Sequence, residues 1–175
     1  MVKQVFFLYN PGEGGGFFQV NDYIQTMRSM IGHERLITVG CGAIIEDEEG
    51  RILLQRRKDQ NNWCLPGGLM EIGETFMETL HREVLEETDL IIEGPELFGI
   101  YSGDIGLREY PNGDKIFSVQ IIFRVTSYHG ELKQEGLESS EHRFFPRDSL
   151  PQPLNPGQAA FILDWAEGLK APIVR

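Results

Sequence analysis

Residues 36–88 constrain the fold more than any other part of the chain. An apolar, β-branched run, LITVGCGAII at 36–45, is followed by a polar turn at 47–50 and a second apolar run at 52–55. Such runs, bounded by acidic residues and glycine, are strand signals. The glycine-containing loop NNWCLPGGLMEIGE comes next, and residues 75–88 then run without Pro or Gly and read as a helix. Strand, turn, strand, glycine loop and helix thus follow one another without a break.

Downstream, 97–102 and 115–126 are strand-like, and Tyr110-Pro111-Asn112-Gly113-Asp114 between them holds an Asn-Gly turn signal. A polar loop at 130–140 leads into a short strand at 142–145. Residues 156–168 predict an amphipathic helix with Ala160, Ile162, Leu163, Trp165 and Ala166 on its apolar face, and Pro156 suits its first turn. Upstream, Tyr23, Ile24, Met27, Met30 and Ile31 recur at helical spacing, with Asn21 as a cap and Gly32 as a stop. That stripe reads as a packing face. Residues 1–20 follow neither pattern, and PGEGGG interrupts them. They read either as an N-terminal extension (a flexible arm or an edge strand packing on a partner) or as a translated upstream segment ahead of a start near Val20. The domain proper is expected at 21–175, as a single unit without repeats or a linker.

The length of 175 residues suits one core. A formal charge of −11 repels a phosphate backbone and argues against broad nucleic-acid binding. It would equally repel a small polyphosphate unless a cation intervenes. Cys41 and Cys64 are too few for a disulfide scaffold and read as reduced thiols packed near strands. No apolar run approaches the ~20 residues of a membrane span, and no cationic segment leads into an apolar stretch and a cleavage site. A soluble, cytoplasmic protein without a membrane partner is expected.

The helix at 75–88 carries the chemistry. At about 100° per residue, Phe76, Met77, Leu80 and Val84 form an apolar stripe. Glu87 falls just inside one edge of it, Glu83 just outside, and Glu86 further round. The arrangement is locally unfavourable. Glu83 and Glu87 are a like-charge pair one turn apart, and Glu86 and Glu87 sit at the helix end where the macrodipole disfavours negative charge. Mg²⁺, which prefers carboxylate oxygens and leaves positions for substrate phosphates, would resolve the conflict. The plainer reading is a solvated acidic face, with Arg82 pairing with Glu78 and Glu86. Upstream, Gly67-Gly68 lets backbone approach a ligand or metal closely.

Taken together, Gly68, five residues, Glu74, seven residues, then Arg82-Glu83-Val84-Leu85-Glu86-Glu87-Thr88-Asp89-Leu90 resemble the signature box of the Nudix hydrolases. Asp89 stands where that family usually has Gly; it tolerates the left-handed conformation better than most residues. The resemblance extends over residues 37–168. It implies an α/β/α sandwich with a mixed sheet, and a Mg²⁺ ion, or Mn²⁺ in its place, held by Glu83, Glu86, Glu87 and the carbonyl of Gly68 or its neighbour. It implies a structural pair between Arg82 and Glu74. Glu83, Glu86, Glu87 and Arg82 would form the catalytic set.

The reaction so implied is attack of water on a phosphorus of a diphosphate, with Glu83 or a loop carboxylate such as Glu138 taking the proton. Glu141 is a further candidate, with surface charge as the stronger reading for both Glu138 and Glu141. Arg56 or Arg57 suits a substrate phosphate. Trp63 is a candidate for stacking on a base, with core packing the stronger reading; Tyr101 and Tyr110 stand likewise. His81 lies off the acidic arc and is not expected to be a ligand. The substrate would be a nucleoside diphosphate linked to another moiety, such as ADP-ribose or a nucleotide sugar, or a nucleoside triphosphate. The Pro that an ADP-ribose array would place near residues 104–106 is absent. The competing reading is a domain of weak catalysis that binds nucleotides as a regulatory module. The family resemblance leaves a homodimer open.

Overall fold

The computed structural model describes residues 23–175 except Pro111. The cap expected at Asn21 and the readings of residues 1–20 lie outside the described residues.

The chain begins with helix α1 (Tyr23–Ile31) and strands β1 (Leu36–Ile45), β2 (Ile52–Arg57), β3 (Trp63–Cys64) and β4 (Gly67–Leu69). Helix α2 (Phe76–Thr88) follows, then β5 (Ile91–Glu93), β6 (Glu96–Tyr101), β7 (Leu107–Glu109), β8 (Lys115–Val125), β9 (Ser127–His129) and β10 (Ser139–Phe145). Helix α3 (Ala159–Ala166) and β11 (Ile173–Val174) complete it.

The main sheet has the order β11-β6-β8-β1-β4, with β7 also on β8. It is mixed: β1 runs parallel to β8 and β11 parallel to β6, while β4 is antiparallel to β1, and β6 and β7 are antiparallel to β8. A second, antiparallel sheet has the order β10-β2-β3, and β5 pairs with β9. The β1–β8 register explains the layering. Cys41, Ala43 and Ile45 stand beside Ile121, Phe123 and Val125, and all six pack with Leu80 and Val84 of α2. Ile44 and Ile122 point the other way, into a cluster with Phe161, Ile162 and Trp165 of α3. Strand alternation thus gives each face of the sheet its own helix, an α/β/α sandwich.

Buried Glu46, just after β1, ties the end of that strand to β8, to the turn after β10 and to α3. It accepts from Arg124 Nη2 at 2.7 Å and Arg147 Nη2 at 3.3 Å, and from the Trp165 indole. The three donors hold its carboxyl below the ordinary range, against the opposing effect of burial, which is the largest single influence.

Several sequence expectations are corrected. In α1 the stripe does pack, with Tyr23, Ile24, Met27 and Ile31 half-buried, but no residue of the helix is fully buried and Met30 is 75% exposed. Phe76 and Met77 are exposed; the buried face of α2 is Thr79, Leu80, Val84 and Thr88. That rotation places Glu83 and Glu87 within the packed side. Helix α3 starts three residues after Pro156, which lies in the preceding turn. The strand expected at 142–145 begins at Ser139, and β2 runs on to Arg57. Cys41 and Cys64 are free and buried, and burial pushes their thiols up to about 11 and about 12. No helix among the described residues is long and apolar enough to cross a membrane.

Candidate active site

Helix α2 starts on a capping box: the Thr75 hydroxyl accepts from the Glu78 amide, and the Glu78 carboxylate accepts from the Thr75 amide at 2.7 Å. Glu78 is therefore occupied at the helix start, and the pairing expected between it and Arg82 does not form. The helix ends on Asp89 at φ 62°, its amide donating to the Leu85 carbonyl. Aspartate does adopt the left-handed cap. The last turn holds no basic residue, but Lys133 arrives from the loop after β9: its amide donates to the Thr88 carbonyl at 3.1 Å and its Nζ to the Glu86 carbonyl. A cation thus meets the negative end of the helix from outside.

Arg82 organises one side of the acidic face. Its Nε and Nη2 donate to the two Glu74 oxygens at 2.6 and 2.9 Å, and Nη2 also reaches the Leu69 carbonyl at 3.0 Å. The Arg82 hydrogen bonds hold the Glu74 carboxyl down at about 2. The remaining Nη1 donates to Glu83 Oε1 at 2.7 Å and lies 3.7 Å from Glu86 Oε2. The box loop approaches from the other side. A Cβ on Gly68 would stand 2.4 Å from the Glu83 carboxyl, and one on Gly67 (φ +144°) 2.2 Å from the Cys41 carbonyl oxygen. Glycine is required at both positions because a carboxylate and a strand occupy the space of a side chain.

Glu87 Oε2 accepts from the Gly67 amide and from Gln55 Nε2, both at 2.7 Å. Burial pushes the Glu87 carboxyl up to about 8, and Glu83 adds to the rise. Glu83 is raised as well, by burial first, with Arg82 opposing. Two half-buried carboxylates thus share one face, Glu83 answered by Arg82 and Glu87 by neutral donors only, a crowding that a cation would relieve.

Donor chemistry fits Mg²⁺. Glu83 and Glu87 each keep an oxygen outside the hydrogen bonds just described, Glu86 is the most exposed of the three, and the Gly68 backbone is in contact range of Glu83. The three carboxylates share a face, but among the described residues no three His, Cys, Asp or Glu side chains converge as a ready-made ligand cluster. Arg82 draws Glu83 and Glu86 toward itself while the Gly67 and Gln55 donors draw Glu87 away.

The other candidates are dispersed. Arg57 is engaged by Asp59 through bonds of 2.8 and 2.9 Å. Arg56 keeps a buried Nε with no partner among the described residues. Both arginines are half-buried. Trp63 is 6% exposed and meets Phe145 edge-on at 4.8 Å, so it packs in the core and offers no face to a base. Tyr101 is fully buried, its hydroxyl donating to Asp164 at 3.0 Å. Glu138 is exposed at the end of its loop, and its carbonyl accepts from the Lys58 amide at 2.8 Å. Glu141, on β10, pairs with Arg143. Gln55, His142 and Lys133 escaped the sequence reading. The only signal for Gln55 was a lone amide ending an apolar strand.

The model of the NUDIX domain matches residues 36–165. The chain belongs to the Nudix family. An ADP-ribose pyrophosphatase of Methanocaldococcus jannaschii is 36% identical over 116 residues, which is 65% of this chain and 64% of that protein. An 8-oxo-dGDP phosphatase of Homo sapiens is 31% identical over 130 residues, 71% of this chain and 37% of that one. Across three of the curated relatives that it matches, the chain spans between 43% and 64% of their length. Among solved structures, the MutT NUDIX hydrolase of Burkholderia pseudomallei superposes with a TM-score of 0.63 at 29% identity, covering 73% of this chain and 97% of that one.

Proposed function

We propose that this Nudix protein hydrolyses a diphosphate linkage in a nucleoside diphosphate joined to a further moiety, or in a nucleoside triphosphate. The observation that carries the reading is the half-buried carboxylate pair Glu83 and Glu87, pressed against Gly67-Gly68 and raised chiefly by burial. Glu83, Glu86, Glu87 and the Gly68 carbonyl would hold Mg²⁺, or Mn²⁺ in its place. When bound, the ion supplies charge neutralisation at the phosphate oxygens and acidifies water.

The chain's own residues do the rest. Arg82, anchored on Glu74, fixes Glu83. Glu83 or Glu138 takes the proton; Glu83 is held by Arg82, whereas Glu138 is exposed and free to turn. Arg56, with an unmatched guanidinium donor, suits a substrate phosphate better than Arg57, which is already paired. The names of the relatives are divided between ADP-ribose and oxidised guanine nucleotides. Their common part is the nucleoside diphosphate, and the reading takes that as the substrate class. The net charge of −11 favours a small substrate over a nucleic acid. Two buried free thiols suit the cytoplasm, and the Nudix domain is taken as 21–175.

Phosphate or nucleoside monophosphate release from ADP-ribose, nucleotide sugars and nucleoside triphosphates with Mg²⁺ tests the proposal. Release that needs the metal and falls by about 10²-fold or more in Glu87→Gln supports it. Nucleotide binding without turnover would replace it with the regulatory-module reading.

A further inference from the structure

Behind Glu87 the second sheet carries a buried polar chain. Gln55 stands on β2 at 3% exposure. Its Nε2 donates to Glu87 Oε2 at 2.7 Å and, more weakly, to the Leu65 carbonyl at 3.4 Å. Its Oε1 lies 3.3 Å from Nε2 of His142, its directly opposite partner on β10. His142 is 4% exposed, its Nε2 also lies 3.2 Å from Ser139 Oγ, and its Nδ1 is buried with no partner among the described residues.

These contacts fix where the protons are. The Gln55 amide nitrogen faces a carboxylate and a carbonyl, both acceptors, so its oxygen faces His142 and Nε2 of the ring carries the hydrogen. With Glu87 ionised, turning the amide over would set two acceptors against each other at 2.7 Å. Glu87 Oε2 is thereby clamped between one backbone and one side-chain donor, and Oε1 is the oxygen left to act.

A buried imidazole with an orphan nitrogen is costly, and an apolar side chain would fill the same place more cheaply. What the chain holds accounts for its presence. We propose that Gln55, locked by His142, is a positioning residue that presents Glu87 Oε1 to the divalent ion. This inference rests on the metal-dependent reading above.

Mn²⁺ alone is the probe, its binding followed by electron paramagnetic resonance and calorimetry beside thermal unfolding, in wild type, Gln55→Leu, His142→Leu and His142→Gln. Gln55→Leu is expected to weaken Mn²⁺ binding about 10–100-fold, as for other outer-shell partners. His142→Leu weakens it too, and His142→Gln, whose amide nitrogen can stand in for Nε2, recovers most of the loss. Wild-type affinity in folded Gln55→Leu and His142→Leu overturns the inference. So does equal weakening in the two His142 variants, which would mark the ring as structural only. Should Gln55→Leu fail to fold, the His142 pair decides alone. Wild type that binds no Mn²⁺ overturns the metal reading itself, a result distinguishable from the others.

Discussion

Glu87→Gln is expected to make the metal-free protein more stable while disabling it. The Glu87 carboxyl sits at about 8 in the folded chain against an ordinary 4.5, chiefly through burial. Between those values the folded protein keeps a proton that the unfolded chain has shed, so stability falls as pH rises. At about 1.36 kcal/mol per unit, the interval from 4.5 to neutrality amounts to about 3 kcal/mol, and the loss completes only above about 8. Glutamine keeps a carbonyl oxygen for the Gly67 and Gln55 donors and never ionises. Urea unfolding of both proteins in chelator, at intervals from pH 5 to 8, reads the effect. The variant should gain on wild type progressively, from little at pH 5 to about 3 kcal/mol at neutrality. Excess Mg²⁺ should then stabilise wild type and leave the variant unmoved. Parallel stability curves for the two proteins across that range would refute the reasoning, because they would mean that Glu87 carries no burial penalty for a cation to relieve.

Two further outcomes follow from the box geometry. Asp89→Gly relieves a left-handed residue at φ 62° and forfeits only an exposed 3.4 Å contact with Lys133; thermal unfolding should rise by about 2–4 °C per kcal/mol gained, with about 0.5–1 kcal/mol expected, and a fall would show the ion pair to dominate. Gly68→Ala places a methyl 2.4 Å from the Glu83 carboxyl; unfolding should show a loss of about 1–3 kcal/mol, with lower turnover as Glu83 is displaced, and an unchanged protein would mean that the carboxylate moves freely.

Much of this architecture was legible in the residues. The run at 36–45 became β1 with the expected bounds, and the left-handed Asp89 and the Arg82–Glu74 pair both formed. The helical wheel misplaces Phe76 and Met77 because hydrophobicity alone does not mark the buried side. Thr79 and Thr88 pack there instead, and Thr88 satisfies its hydroxyl internally by donating to the Val84 carbonyl at 2.6 Å. Short strands such as Gly67–Leu69 and Ile173–Val174 carry no periodic signal, since partner register and not composition makes them strands. Gln55 and His142 were hidden for a related reason. Each stands among other polar residues of its strand with nothing to single it out, and only the β2–β10 pairing brings them together behind Glu87.

The stretch after β9 is moored at many points. Lys133 holds the end of α2, the Gln134 carbonyl accepts from the His142 amide at 3.0 Å, and Lys58 Nζ reaches the Gly136 carbonyl at 2.7 Å. The backbone around Glu138 is therefore tied to α2, to β10 and to the residue that follows β2. If Glu138 serves as the base proposed above, its reach depends on its side chain and not on a moving loop.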